Sequence, residues 1–174
     1  VITYTDSIMI NEQSVKISET EVGIENLRDF SEEELQKGAF ISARTMCFRN
    51  IIEFNNIKYR GIQQEDAFLI SLLGEFGYGK FISDIKPSVY RILSRGIWSS
   101  QSEIEKLKSS MITFWVLRKY YKNKKNNSLK LFYERKYFKN NDRKLHLSIK
   151  TKLTKEILHS YFISIFKPFK LNEF

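Results

Sequence analysis

The rhythm of apolar and polar positions changes several times along the chain. Val1–Ile10 (VITYTDSIMI) is rich in β-branched and aromatic residues and reads as a strand, with Ile8-Met9-Ile10-Asn11 carrying it toward a turn. Val15–Ile17 suits a short strand inside an acidic loop that runs from Glu12 to Asp29. Ser31-Glu32-Glu33-Glu34 has the S-x-x-E form of a capping box and predicts a short helix ending at Gly38. Ala39–Arg49 reads as an extended segment, with Phe40, Ser42, Arg44, Met46 and Phe48 sharing a face. Ile51–Tyr59 is ambiguous. In Gln63–Phe76 the apolar residues Leu69, Leu72, Leu73 and Phe76 recur at i, i+3, i+4 and i+7, which predicts a helix with Gly77 as its C-cap. Gly79–Ser83 and Ser88–Ile92 follow as short strands on either side of a turn at Pro87.

Beyond Trp98 the pattern becomes helical. Ser102-Glu103-Ile104-Glu105 is a second capping box, and Ile104, Leu107, Met111, Phe114 and Trp115 form a stripe up to about Tyr121. Lys122–Asn127 (KNKKNN) is a polar break, followed by helices near Leu129–Lys139 and Thr151–Phe166, before Pro168. No internal repeat is visible. The pattern predicts an α/β body over residues 1–100 and a helical extension over 101–174.

Composition sharpens this division. The chain has 174 residues, 42% hydrophobic and 14% aromatic, enough for a globular domain with a real core. Its net charge of +9 is unevenly placed. Residues 1–99 hold 14 acidic and 11 basic side chains, a balance of −3; residues 100–174 hold 6 acidic and 18 basic, a balance of +12. A near-neutral body with a basic tail suits an anionic membrane, nucleic acid or a phosphorylated substrate, and equally suits solvated lysine-rich helix faces. No apolar run reaches the roughly 20 residues that span a bilayer, and the N-terminus lacks the pattern of a signal peptide. The single cysteine, Cys47, excludes an intramolecular disulfide and agrees with a cytoplasmic, reducing compartment. His146 and His159 have no Cys or carboxylate at ligand spacing, so a zinc site is not expected.

The candidate chemistry lies in Gln63–Ser100. Asp66, beside Glu65, falls in the first turn of its helix, where unpaired N–H groups and the macrodipole favour negative charge. A carboxylate there can take a proton from a hydroxyl, or can simply stabilise the helix. At the far end, Arg91 offers a fork for phosphate or carboxylate, Trp98 a face for a sugar or base, and Gly96 close backbone approach. Their structural alternatives are an ion pair, core packing and a turn.

These residues resemble the second half of a bacterial family 2 glycosyltransferase of GT-A (Rossmann-like) fold. Gln64-Glu65-Asp66 is similar to the family's x-E-D motif, Gly38–Asn50 to the segment leading to it, and Tyr90-Arg91-Ile92-Leu93-Ser94-Arg95-Gly96-Ile97-Trp98-Ser99 to its Y-R-x-H-x-G-G-x-W-S ending. Tyr4-Thr5-Asp6-Ser7 with Ile10-Asn11-Glu12 resembles the strand and turn after the donor-binding half, and the likeness runs to about residue 120. It implies an inverting transfer from a nucleotide-diphospho-sugar to a hydroxyl of a glycan or lipid-linked acceptor, in bacterial surface polysaccharide synthesis. Asp66 is then the base, with Glu65, Arg91, Arg95, Gly96 and Trp98 lining the substrate site. The family's D-x-D motif and nucleotide-binding units would precede residue 1, so the chain corresponds to the acceptor side. The divalent cation (Mg or Mn) of the intact family enzyme meets a departure here: Leu93 stands where the family usually has a ligating His, and Arg95 where it has a Gly.

In the tail, Tyr161, Phe162, Ile165, Phe166 and Phe169 alternate with Lys150, Lys152, Lys155, Lys167 and Lys170. Such a face can lie peripherally in the inner leaflet of the plasma membrane or pack as ordinary helix core. Two further readings stand beside the transferase: a non-catalytic, transferase-like interaction domain, and a basic nucleic-acid-binding module, for which no recognised motif is present.

Overall fold

The structure, a computed structural model, describes residues 1–53 and 61–165. The chain is mixed α/β and forms two compact units, one built from residues before 54 and from 65–100, the other from 61–64 and 101–165 among the described residues.

The first unit holds two small mixed sheets. The predicted N-terminal strand is two strands, β1 (Ile2–Tyr4) and β2 (Ser7–Ile10), broken at Thr5-Asp6. β3 (Lys16–Ser18), β4 (Cys47–Phe48), β5 (Gly79–Phe81) and β6 (Ser88–Arg91) complete them, in the orders β4-β1-β5 and β3-β2-β6. β1–β5 and β2–β6 are parallel, so β5 and β6 flank the Pro87 turn without pairing to each other. Parallel neighbours need a long crossover; the helices α1 (Glu32–Gln36) and α2 (Glu65–Leu73) lie within it.

Both N-terminal signals of α1 appear as bonds. Ser31 caps the Glu34 N–H while the Glu34 carboxylate returns to the Ser31 N–H, and Gly38 leaves the helix at φ 77°. The Arg28 guanidinium beside Glu34, then the Ser31 bonds, push that carboxyl down to about 2. α1 and α2 meet closely at Gly74, where an added Cβ would lie 2.7 Å from both Gln36 N and Glu32 O. Ser71 Oγ donates to Gln36 O (2.7 Å) and Gln36 Nε2 to Gly74 O (2.8 Å), which satisfies backbone carbonyls at the ends of both helices.

The core gathers Ile2, Tyr4, Phe30, Leu35, Ile41, Ile70 and Leu73. Full burial of each large apolar side chain is worth about 1.5–3 kcal/mol before chain entropy is counted. The Tyr4 hydroxyl sits between the carbonyls of Asn26 (3.0 Å) and Arg28, and burial pushes its pKa up to about 12.

Two expectations fail here. Ala39–Arg49 is not a regular strand: Thr45 N bonds Ser42 O (3.0 Å), a turn that sends Ile41 into the core and leaves Phe40 and Phe48 exposed. Phe76 is also exposed, because α2 stops at Leu73 and Gly77 (φ 149°) redirects the chain into β5.

The second unit is helical: α3 (Glu103–Asn123), α4 (Asn127–Lys150) and α5 (Thr154–Ile165). Ser102 and Glu105 form the expected capping box of α3. Lys125 and Lys152, both at positive φ, mark the turns into α4 and α5. Tyr121 and Tyr133 stack at 5.8 Å with planes 2° apart, and Arg118 pairs with the buried Glu134 at 3.1 Å. Trp115, expected on the inner stripe, lies at its edge against Tyr137 and the Arg118 guanidinium. α4 extends eleven residues beyond the sequence expectation. Gln63 and Gln64 belong to this unit and are held by α3: Ser109 Oγ donates to Gln63 Oε1 (2.5 Å) and Gln64 Nε2 to Ser110 Oγ (2.9 Å).

Of the expectations above, Ile51–Tyr59 falls mostly outside the described residues, as do Phe166, Lys167, Pro168, Phe169 and Lys170. No helix among the described residues is long and apolar enough to cross a membrane.

Candidate functional site

The first unit positions the residues singled out by sequence on three supports. The first is the α2 N-terminus. Glu65 is exposed and Asp66 half-buried, and Asp66 Oδ1 accepts the Ala67 N–H at 2.9 Å. No other described residue bonds or pairs with the Asp66 carboxylate. One oxygen is therefore held by the adjacent backbone N–H, and the other has no bond among the described residues.

The second support is β6 and the segment after it. Parallel pairing sets Tyr90 beside Met9 and Arg91 beside Ile10. Arg91 Nη1 donates to Asn11 O (3.1 Å), Glu12 O (3.1 Å) and Ser14 Oγ (3.0 Å), so this guanidinium fastens the β2–β3 turn. Glu12 answers from the turn: its Oε1 accepts the Ser94 N–H at 2.6 Å, and the Ser94 backbone and hydroxyl together hold its carboxyl below the usual range. Sequence reasoning missed Glu12 as the anchor of this loop. The signal available was an acid at the β2 turn, which only the β2–β6 pairing connects to residue 94.

Gly96 closes a turn. Its N–H bonds Leu93 O (3.1 Å), Ser100 N bonds Gly96 O (2.9 Å), and an added Cβ would lie 2.5 Å from Ser99 Oγ. Ser99 Oγ also donates to Leu93 O. The turn presents Leu93, Arg95, Ile97 and Trp98 outward, Trp98 being 42% exposed. Arg95, unlike Arg91, has no bonded or charged partner among the described residues.

The third support is the break between β1 and β2. Asp6 Oδ1 accepts from Ser7 N (2.7 Å) and Thr20 Oγ1 (2.8 Å), and Thr45 Oγ1 donates to Thr5 O (2.8 Å). Glu21 accepts from Ser42 Oγ (2.7 Å) and pairs with Arg44, whose guanidinium carbon lies 3.5 Å from the centre of the Tyr90 ring. This network ties the 42–45 turn to β6. It converts the polar positions of Ala39–Arg49 into a brace, a role that alternation along a strand could not reveal.

The described residues do not suit the divalent cation implied by the resemblance. They contain no group of three or more His, Cys, Asp or Glu that could hold a metal ion, and Leu93 is a non-ligating, exposed side chain. A concavity of about 410 Å³ in this unit lies between Val1–Thr3, Cys47–Arg49, Tyr78 and Lys80. None of the sequence-derived site residues lines it. Comparison with protein-family models, with curated proteins and with solved structures returns no match for this chain.

Proposed function

We propose that the chain is the acceptor-side portion of an inverting glycosyltransferase of GT-A type. It would transfer a sugar from a nucleotide-diphospho-sugar to a hydroxyl of a glycan or lipid-linked acceptor at the inner face of the plasma membrane. The observation that carries the reading is the Asp66 carboxylate, half-buried in the first turn of α2, with one oxygen held by the Ala67 N–H and no competing partner among the described residues. In this reading Asp66 removes the acceptor proton as the acceptor oxygen forms its bond to the anomeric carbon. The bond to the nucleoside diphosphate breaks, and that group leaves with the electron pair. In the same reading Arg95 would meet the departing charge, and Glu65 and Trp98 would contact the acceptor. Arg91 acts indirectly, through the turn it fastens. No step is routed through a cation, since the described residues hold no group of three or more His, Cys, Asp or Glu that could bind one.

The test is nucleoside diphosphate release in a transferase containing this chain together with its donor-binding half. Asp66→Asn should suppress acceptor-dependent release while nucleotide-sugar affinity stays unchanged; near-normal turnover would remove Asp66 from the role of base. The exposed Leu93, where the resembled family has a ligating His, favours one second reading, a non-catalytic interaction domain on the same fold. That reading expects no acceptor-dependent release even from the unmutated polypeptide.

A further inference from the structure

Surface helices ordinarily turn their apolar stripe toward the core. α5 leaves an apolar stripe outside. Leu158, Tyr161, Phe162 and Ile165 follow i, i+3, i+4, i+7 spacing, and each is 59–65% exposed. Leu153 in the preceding turn and Ile149 at the end of α4 are exposed as well. The opposite side of α5 sets Glu156, Ser160 and Ser164 beside the half-buried Ile157 and Ile163, and its polar groups meet a polar stretch of α4. Asn141 Nδ2 donates to Ser160 O (2.9 Å) and Ser164 Oγ (3.0 Å), Lys144 Nζ lies 2.9 Å from His159 Nδ1, and Lys108 Nζ of α3 reaches Glu156 Oε1 at 2.5 Å. These bonds fix which way the helix faces. Rotating it to bury the stripe would strand Asn141 and Lys144, both fully buried, without partners.

Charge identifies what the outer face meets. Glu156 is the single carboxylate of α5, and it points inward to Lys108 and Lys144. Lys150, Lys152 and Lys155 are exposed at the α4–α5 turn and the first turn of α5, and residues 101–165 carry 16 basic against 5 acidic side chains. A second copy brought face to face would oppose lysine to lysine, whereas lipid phosphates would neutralise them. The described part of the helix, twelve residues or about 18 Å, is too short to cross a bilayer but long enough to lie in its interface.

We propose that the outer face of α5 docks on an anionic lipid surface. Leu158, Tyr161, Phe162 and Ile165 enter the boundary between headgroups and acyl chains, and Lys150, Lys152 and Lys155 pair with lipid phosphates. This extends the membrane-side placement of the transferase reading, and vesicle binding separates the two, since a variant blocked at Asp66 binds vesicles as its parent does.

The experiment is co-sedimentation of the chain with vesicles of phosphatidylcholine alone and of phosphatidylcholine with phosphatidylglycerol. Binding is expected only with phosphatidylglycerol and should weaken as salt rises. Leu158→Glu and Ile165→Glu should each lower partitioning roughly tenfold or more, with helical circular dichroism retained. Joint Lys152→Gln and Lys155→Gln substitution, which leaves the stripe untouched, should lower it severalfold, and Lys119→Gln with Lys122→Gln on α3 should not. Three results would overturn the proposal: no binding to either vesicle, unchanged binding by Leu158→Glu, or a concentration-dependent dimer that Leu158→Glu abolishes, which would assign the face to a second copy.

Discussion

The buried ammonium of Lys144 offers a sharp test of how the helical unit is held together. Its side chain is 1% exposed, with His159 Nδ1 at 2.9 Å and Glu156 Oε2 at 3.8 Å. Burial lowers its pKa from the ordinary lysine value while Glu156 pulls the other way. Glu156→Gln leaves an ammonium in the interior with no anion near it, a change that costs about 3–5 kcal/mol in buried pairs. The lower end applies here, because the Gln amide can still meet the half-exposed Lys108. Lys144→Met removes the charge and keeps the volume, so the same principle expects a change near zero or a gain. Urea unfolding followed by circular dichroism at the helix band separates the cases. With an m-value of about 1 kcal/mol/M for so small a unit, Glu156→Gln should lower the midpoint by about 3 M or leave the unit unfolded without urea. Lys144→Met should hold the midpoint, and the double variant should recover most of the loss. If Lys144→Met is as destabilising as Glu156→Gln, or if Glu156→Gln changes nothing, the carboxylate is not compensating a buried charge.

Acid should loosen the same cluster. Burial first, then Lys144, holds the His159 pKa below its ordinary 6.5, so the folded state binds that proton less readily than the unfolded chain. The stability present above 6.5 is therefore lost as pH falls below it, and the urea midpoint should drop between pH 7 and 5, with a shallower slope in His159→Gln. In the α/β unit, carbon NMR should place the Glu34 carboxyl midpoint near 2, and Arg28→Ala should move it back toward 4.5. Gly74→Ala forces a methyl against two backbone atoms of α1, which should cost about 1–3 kcal/mol and lower the thermal midpoint by several degrees. Ser102→Ala should cost about 1 kcal/mol through loss of the α3 cap; an unchanged midpoint would show that cap to be idle.

What sequence could and could not disclose follows from the kind of signal involved. Both capping boxes were legible because the motif is local: Ser31–Glu34 and Ser102–Glu105 contain all the atoms that form the bonds. The short strands were legible from composition, but their pairing was not. Parallel β1–β5 and β2–β6 contacts join residues some eighty positions apart, and nothing local separates that arrangement from a hairpin across Pro87. The expected end of α4 at Lys139 has a physical cause. Its buried face is apolar at Leu129, Tyr133 and Phe138 and polar at Asn141, Lys144 and Ser148, so the apolar period stops although the helix does not. α5 departs from the rule, since periodicity reports an amphipathic helix without saying which side is covered. At the candidate site, Asp66 was legible as a first-turn acid. The binding of Arg91 to the 11–14 turn, the closure of the turn at Gly96 and the Arg44–Tyr90 brace depend on contacts between distant segments and were not.

The central claim rests on Asp66, and the most direct measurement is the rate of sugar transfer by Asp66→Asn, with Glu65→Gln as its neighbour control, in a polypeptide that includes the donor-binding half. General-base catalysis expects Asp66→Asn to fall by about 10²–10⁴ with donor affinity unchanged, and Glu65→Gln to fall far less. A rate for Asp66→Asn within about threefold of the parent would contradict the account.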